Sequence, residues 1–528
     1  MATSLQLAPE AQREDAETEF EVIAGHNMKL LEWSEGGTGD YRVPSFEVRY
    51  ADGSTISPVQ YCSHRIFAGR HRPDEGALTA GFQADLDDDE MSMASAADMP
   101  RVRSLGPRDA RTTTLVVTLV DRFMKLFVDL VYTVCADSDV IVRKAVVRNI
   151  GRRRVVLNRF MSATIDMYAS DHHLTHLSGA WAGERQVVTR KLVQGICYVE
   201  SRRGQSSHQH NPFVAVSEGK PREESGEVYG FSLVYSGNFR IECDVAESQR
   251  LRINAGLHPA NFRWQLLPGQ TFETPEVMCV YSSEGMGGMS KELHEIIRRR
   301  LVRPQWRYHI PSVIVNSWEA CYFDINEKSI IELATHARDV VPEDQAVMLV
   351  MDDGWFGARN NDTSSLGDWF VDKTKFPKGL RLLGEQLDDI GVHFGLWVEP
   401  EMVNVRSQLY RQHPDWCLQV PGRRRSEGRN QLVLDFSRDE VVEYILTRLT
   451  SILATVRIRY VKWDCNRSLS EVYSAALPPA RQGETFYRHL RGVYRVFREL
   501  NERFPHILIE SCSGGGGRFD PGMLFYSS

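Results

Sequence analysis

The chain contains 528 residues, 42% hydrophobic and 25% charged, and its 63 basic and 70 acidic residues leave a formal charge of -7. That length exceeds what one hydrophobic core organises and divides into at least two domains. The charges form no long block of either sign, which disfavours nucleic-acid or membrane partners and fits a neutral substrate.

Residues 1–20 read as a flexible N-terminus. They lack a basic segment followed by an apolar core, so no secretory signal is expected and the chain is placed in the cytoplasm. No run approaches the roughly 18 apolar residues of a membrane helix. Nine cysteines lie between Cys62 and Cys512 without a C-x-x-C pair, which argues against a disulfide framework or a structural zinc site.

Residues 21–290 are written in short strand-like runs. Leu115–Val120, Leu126–Val134, Val140–Val147 and Val228–Tyr235 are β-branched and aromatic, separated by turns such as Asn149-Ile-Gly151, and predict an antiparallel β-sandwich. Residues 291–311 are expected to hold a linker helix over Lys291–Arg300, ended by Pro304.

From residue 312 to 528 the grammar changes to alternating strands and helices. Strands are expected at Val313–Trp318, Ala346–Val350, Val392–Glu399, at the run ending in Asp464, and at His506–Glu510. Between them lie helices with apolar faces: Ile330, Ala334, Ala337 and Val341; Leu380, Leu383, Leu387 and Ile390; Val441, Ile445, Leu449 and Ile452; and Phe486, Leu490, Val493, Phe497 and Leu500. Asp324-x-x-Glu327 and Ser437-x-x-Glu440 are expected to cap two of these helices. The pattern predicts a parallel sheet, as in a (β/α)8 TIM barrel, with about five of eight strands present.

Polar and aromatic residues cluster where successive strands end, the place such a barrel puts its active site. In Arg459–Asn466 an apolar run closes on Lys462, Trp463, Asp464 and Asn466. Lys462 and Asp464 share one side of the strand, and a lysine facing the interior needs a carboxylate or a ligand hydroxyl. Asp352 and Asp353 end another strand, and paired carboxylates beside tryptophans suit a sugar, whose hydroxyls they bind while an indole stacks on its apolar face. The glycines after Cys512 lack a P-loop lysine and are expected to let backbone approach a sugar. His208-Gln-His210 and His172-His173-x-x-His176 come without acidic or cysteine ligands in an obvious motif, so no metal or other cofactor is expected.

Several ordered motifs carry a family resemblance: Met351-Asp-Asp-Gly-Trp-Phe-Gly357, Leu366-Gly-Asp-Trp-Phe370, Phe394-Gly-Leu-Trp-Val-Glu-Pro-Glu-Met402, His413-Pro-Asp-Trp416, Gly428-Arg-Asn-Gln-Leu-Val-Leu-Asp435, Tyr460-Val-Lys-Trp-Asp-Cys-Asn-Arg467 and Cys512-Ser-Gly-Gly-Gly-Gly-Arg-Phe-Asp-Pro-Gly-Met523. Leu177–Ala182 and Ser201–Phe213 extend the match into the first half. The chain resembles the glycoside hydrolase family 36 α-galactosidases, which cleave terminal α-galactose from oligosaccharides such as melibiose and raffinose. The resemblance implies that Asp464 is the nucleophile of a retaining reaction and that Asp352 and Asp353 bind the galactose O4 and O6 hydroxyls. It further implies sugar contacts from Arg429, Lys462, Asn466 and Cys512; Trp397, Trp463 and Gly515 complete the expected binding set. Trp181 resembles a tryptophan that reaches a site across a subunit boundary, and a homotetramer is implied.

The family's acid/base is an Asp in a Trp-x-Ser-Asp-like motif beyond the match to Gly522–Tyr526, and the sequence ends at Ser528. The expectation is therefore little or no activity on raffinose. Asp520 matches a different family aspartate. A non-catalytic galactose-binding or assembly-modulating protein is the alternative, and α-N-acetylgalactosaminidase is the runner-up among enzymes.

Overall fold

The computed structural model describes residues 40–71, 112–168 and 171–527. The reading of residues 1–20 lies outside them. Among the described residues no helix is long and apolar enough to cross a membrane.

The first half is antiparallel. One sheet of ten strands runs from Gln60–Ala68 at one edge, through Leu126–Cys135 and Val140–Asn149, to the hairpin His172–Ala180/Gly183–Lys191 at the other. A six-stranded sheet, with Val155–Tyr168 and Arg250–Leu257 at its centre, supplies the other layer. Phe46, Leu157, Phe160, Phe239, Ile241 and Leu251 are buried in the core that the two halves of the chain share.

Helix α1 (Gly285–Ile296) starts six residues before the expected Lys291 and continues as a wide turn over Ile297–Leu301. It starts early because Met286, Met289, Leu293 and Ile296 pack on the ten-stranded sheet around Val140, Val228 and Val280. This is a tertiary contact that local pattern does not announce.

The second half holds five parallel strands in chain order: β1 (Val313–Asn316), β2 (Val347–Met351), β3 (Val392–Val398), β4 (Ile458–Trp463) and β5 (Leu508–Ser511). Helices α2 (Glu327–Val340), α3 (Gly379–Ile390), α4 (Asp439–Thr455) and α5 (Thr485–Arg503) lie between them in sequence. Val347, Leu349 and Met351 of β2 and Val461 of β4 join the core with Leu383, Leu387, Ile445 and Phe497 from the helices. Met348, Val350 and Tyr460 form a separate cluster on the alternate side of the strands. Gly395 sits between Val350 and Tyr460 in register, and a Cβ there would meet both side chains at 3.0 and 3.1 Å.

Two expected caps are replaced. Asn326 caps α2, accepting from Ser329 N at 3.1 Å while the Ser329 hydroxyl accepts from Asn326 N, so the reciprocal box is shifted two residues from Asp324/Glu327. Ser437 does not cap α4; its hydroxyl donates to Asp435 at 2.5 Å, and Arg438 is the capping position. Asn and Ser fill this role as well as Asp and Glu, so short polar runs leave the register ambiguous.

The halves are joined by an aromatic chain. Phe160 packs on Phe272, Phe272 on Trp264 at 4.8 Å, and Trp264 edge-on to Tyr487 of α5 at 5.2 Å. Tyr494, two turns further, accepts from Ser236 N at 3.0 Å and donates to Ser236 Oγ at 2.8 Å.

Candidate active site

The carboxyl ends of β2, β3, β4 and β5 bring the expected residues together. Two-residue alternation puts Lys462 and Asp464 on one side of β4, and Lys462 Nζ donates to Asp352 Oδ2 at 2.8 Å. Asn316, at the end of β1, donates to the same oxygen at 2.7 Å. Burial alone would pull the Lys462 ammonium down; the Asp352 carboxylate, its hydrogen bond and Asp464 outweigh it and raise the lysine above its ordinary value. Asp353 is held by a fork from Arg359, with Nε at 2.9 Å from Oδ1 and Nη2 at 2.7 Å from Oδ2. Arg359 is fixed in turn by Asn404 Oδ1 at 2.8 Å and the Ser364 carbonyl at 2.9 Å.

Asp464 is buried and receives neutral donors on both oxygens. Oδ1 accepts from Cys465 N at 2.9 Å and Gly514 N at 3.3 Å; Oδ2 accepts from Asn466 Nδ2 at 2.8 Å and Trp397 Nε1 at 3.3 Å. Among the described residues it makes no ion pair. Such a set orients a carboxylate without neutralising it, which suits a nucleophile. Arg429 extends the network, donating to Asn466 Oδ1 at 2.9 Å from a solvent-exposed turn where both Arg429 and Asn430 have positive φ, 55° and 58°. Left-handed backbone at two successive non-glycine residues is strain of the kind found at binding sites.

Cys512 follows β5, and burial, then the Asp464 charge, push its thiol up to about 12. It therefore stands as a neutral group beside the carboxylate. Gly515 has φ of 88°, and its carbonyl accepts from Ser513 N at 3.1 Å in the turn that lays Gly514 N over Asp464. The sandwich braces this turn. Arg185 donates to the Gly516 carbonyl at 3.2 Å, Glu184 accepts from Gly516 N at 3.3 Å, and His208 Nε2 lies 3.0 Å from the Gly514 carbonyl.

One expected site residue is placed elsewhere. Trp463 is fully buried on the helix side of β4, stacked on Phe497 at 4.2 Å and donating to Glu401 at 2.9 Å. The alternation that turns Lys462 and Asp464 to one side turns the residue between them to the other, so Trp463 serves the core. Trp181 stands at the turn of the His172–Ala180/Gly183–Lys191 hairpin, 73% exposed, and is not among the residues bonded to Asp464.

Asp520 has a different task as well. It caps the short helix Pro521–Leu524 through Met523 N at 3.0 Å and accepts from Ser206 at 2.7 Å and Ser236 at 2.6 Å, tying the loop to the sandwich. Sequence reasoning missed Asn316, Arg359, Glu399 and Gln431. Arg359 and Gln431 lie in loops without a period, whereas Glu399, at the end of β3, carried the same strand-end signal as Asp464.

A parallel βα sheet whose strand ends gather carboxylates, a lysine and an indole is thus braced by an antiparallel sandwich. The Glycosyl hydrolase family 36 N-terminal domain profile matches residues 3–267 and the Melibiase profile residues 271–528. The chain belongs to glycosyl hydrolase family 36. It is 46% identical to alpha-galactosidase AgaA of Geobacillus stearothermophilus and 41% identical to alpha-galactosidase 1 of Pediococcus pentosaceus, in each case over 94% of this chain and 64% of the relative. It thus spans about 64% of the length of these curated relatives. The crystal structure of AgaA superposes with a TM-score of 0.87 at 45% identity, covering 94% of this chain and 65% of that one. The Lactobacillus brevis alpha-galactosidase does so with 0.87 at 38% identity, covering 94% and 63%.

Proposed function

We propose that this chain carries the sugar-binding and nucleophilic face of a retaining α-galactosidase acting on oligosaccharides with a terminal α-galactose. The observation that carries the reading is Asp464: a buried carboxylate that makes no ion pair among the described residues, aimed by Cys465 N, Gly514 N, Asn466 and Trp397. Beside it Asp352 and Asp353 are locked by Lys462 and Arg359 with acceptor oxygens to offer to hydroxyls. Variants of the similar AgaA have been crystallised in complex with raffinose and with stachyose, which supports an oligosaccharide substrate.

In this reading an Asp464 oxygen attacks the anomeric carbon, the C1–O bond to Asp464 forms, the glycosidic bond breaks, and its electron pair leaves on the aglycone oxygen. That oxygen needs a proton unless the leaving group is already stable as an anion. Asp352 and Asp353 are committed to cations and Asp520 to two serines and a helix cap, so none of the three is free to supply it.

The test is covalent trapping with 2-deoxy-2-fluoro-α-galactosyl fluoride, followed by peptide mass mapping. A galactosyl adduct on the peptide containing Asp464, absent in Asp464→Asn, supports the nucleophile. Galactose binding with no adduct on Asp464 would favour a non-catalytic galactose-binding protein.

A further inference from the structure

Among the described residues, three of the carboxyls at the strand ends have a cation. Asp352 pairs with Lys462 at 2.8 Å, Asp353 with Arg359 at 2.7 Å and Glu401 with Arg518 at 2.8 Å. Glu399 and Asp464 make no ion pair among the described residues. Both are buried, and Asn466 links them: its backbone N–H donates to Glu399 Oε1 at 2.6 Å and its side chain to Asp464 Oδ2 at 2.8 Å. Two neighbouring buried carboxyls without cations do not both ionise, because each charge raises the cost of the other.

Hydrogen-bond supply decides which one keeps its proton. Asp464 has four N–H donors, whereas Glu399 has two, Asn466 N and, at 2.8 Å, Gln431 Nε2. Gln431 also carries a buried Oε1 with no partner among the described residues. Amide oxygen and nitrogen occupy nearly the same volume, so turning the Gln431 amide presents that oxygen to Glu399, where it can accept a carboxyl proton.

We propose that Glu399 is a neutral positioning residue. Its Oε2 holds a proton donated to the Gln431 side-chain oxygen, its Oε1 accepts from Asn466 N, and it thereby fixes the loop that aims Asn466 at Asp464. The proposal rests on the reading of Asp464 as the nucleophile. It also explains how one carboxylate stays charged in a crowded acidic cleft: its neighbour is discharged.

The surroundings agree. Burial, then the Asp464 charge, push the Glu399 carboxyl up to about 8. The charged and titratable groups facing it are Asp464 and Cys465 after β4, and Asp353 and Arg359 after β2; of these Arg359 acts to lower it and the two aspartates to raise it. Arg467 is engaged nearby, donating to the Gln431 backbone carbonyl at 2.5 Å.

Infrared spectroscopy on the chain labelled with ¹³C-carboxyl glutamate tests this without relying on catalysis. A protonated-carboxyl carbonyl band is expected at neutral pH, lost as pH rises through about 8 and absent in Glu399→Gln. Gln431→Leu removes the acceptor and should move the band to higher frequency, which gives a second assignment if Glu399→Gln does not fold. A neutral-pH spectrum with no glutamic-acid band sensitive to either substitution overturns the proposal, whether or not galactosides are cleaved. In the trapping assay Glu399→Leu should slow labelling of Asp464 by roughly tenfold or more, as expected for a misaimed group. Glu399→Gln should restore most of that loss and abolish any alkaline fall near pH 8; a wild-type alkaline fall in Glu399→Gln counts against the proposal. If wild type is never labelled while the infrared band is present, the nucleophile reading fails and the neutral Glu399 stands.

Discussion

Lys462 Nζ lies 2.8 Å from Asp352 Oδ2, an ion pair that joins the end of β4 to the end of β2 with both side chains largely out of water. Removing one partner strands the other, which is costly where the pair itself would be nearly neutral. Lys462→Met is therefore expected to lose about 3–5 kcal/mol in urea unfolding, and the double variant Lys462→Met/Asp352→Asn to recover part of it. Because the folded lysine is raised above its ordinary 10.5, its contribution is complete below that pH and is lost only as pH climbs beyond it. Stability from this pair should be flat across the neutral range; a loss beginning near neutral pH would contradict the geometry.

At Gly492 in α5 two effects oppose each other. Replacing a helical glycine by alanine ordinarily gains about 1 kcal/mol. Here the added Cβ would sit 1.9 Å from the Phe436 carbonyl oxygen and 3.0 Å from Phe436 Cβ. Backbone cannot move aside as a long side chain can, so Gly492→Ala should destabilise by roughly 2 kcal/mol or more. A rise in Tm would show that α5 can shift away from that loop.

Asp520 is fully buried and pushed up to about 6, chiefly by burial, against an ordinary value of 3.8. A raised carboxyl favours the folded state below its unfolded pKa, and that advantage is lost as pH rises through the folded one. The group should therefore make the fold less stable by on the order of 3 kcal/mol between about pH 4 and 6. Asp520→Asn should flatten this segment of a Tm-against-pH curve; an unchanged slope would assign it to other groups.

With its thiol pushed up to about 12, Cys512 stays protonated in mildly alkaline solution and should resist alkylation. Cys62 is exposed on an edge strand of the ten-stranded sheet and should react with iodoacetamide first. Time-resolved peptide mapping reads the order directly. Rapid labelling of Cys512 would mean that burial and the Asp464 charge do not hold its thiol protonated.

The sequence by itself determined the two grammars, antiparallel then parallel, and the strand ends that bear Asp352, Asp353, Lys462 and Asp464. Those follow from periodicity, because a buried strand must stop where its side chains turn polar. The same alternation turns Trp463 away from Lys462 and Asp464, so its inclusion in the expected binding set ran against the period of the strand. Only the tertiary structure decided that Trp463 packs on Phe497, that Arg359 grips Asp353, that Gln431 meets Glu399, and that the sandwich braces the glycine turn through Arg185 and His208. These are contacts between segments distant in sequence or in aperiodic loops. Their energy comes from burial and charge pairing that exist only once the sheets and helices have come together.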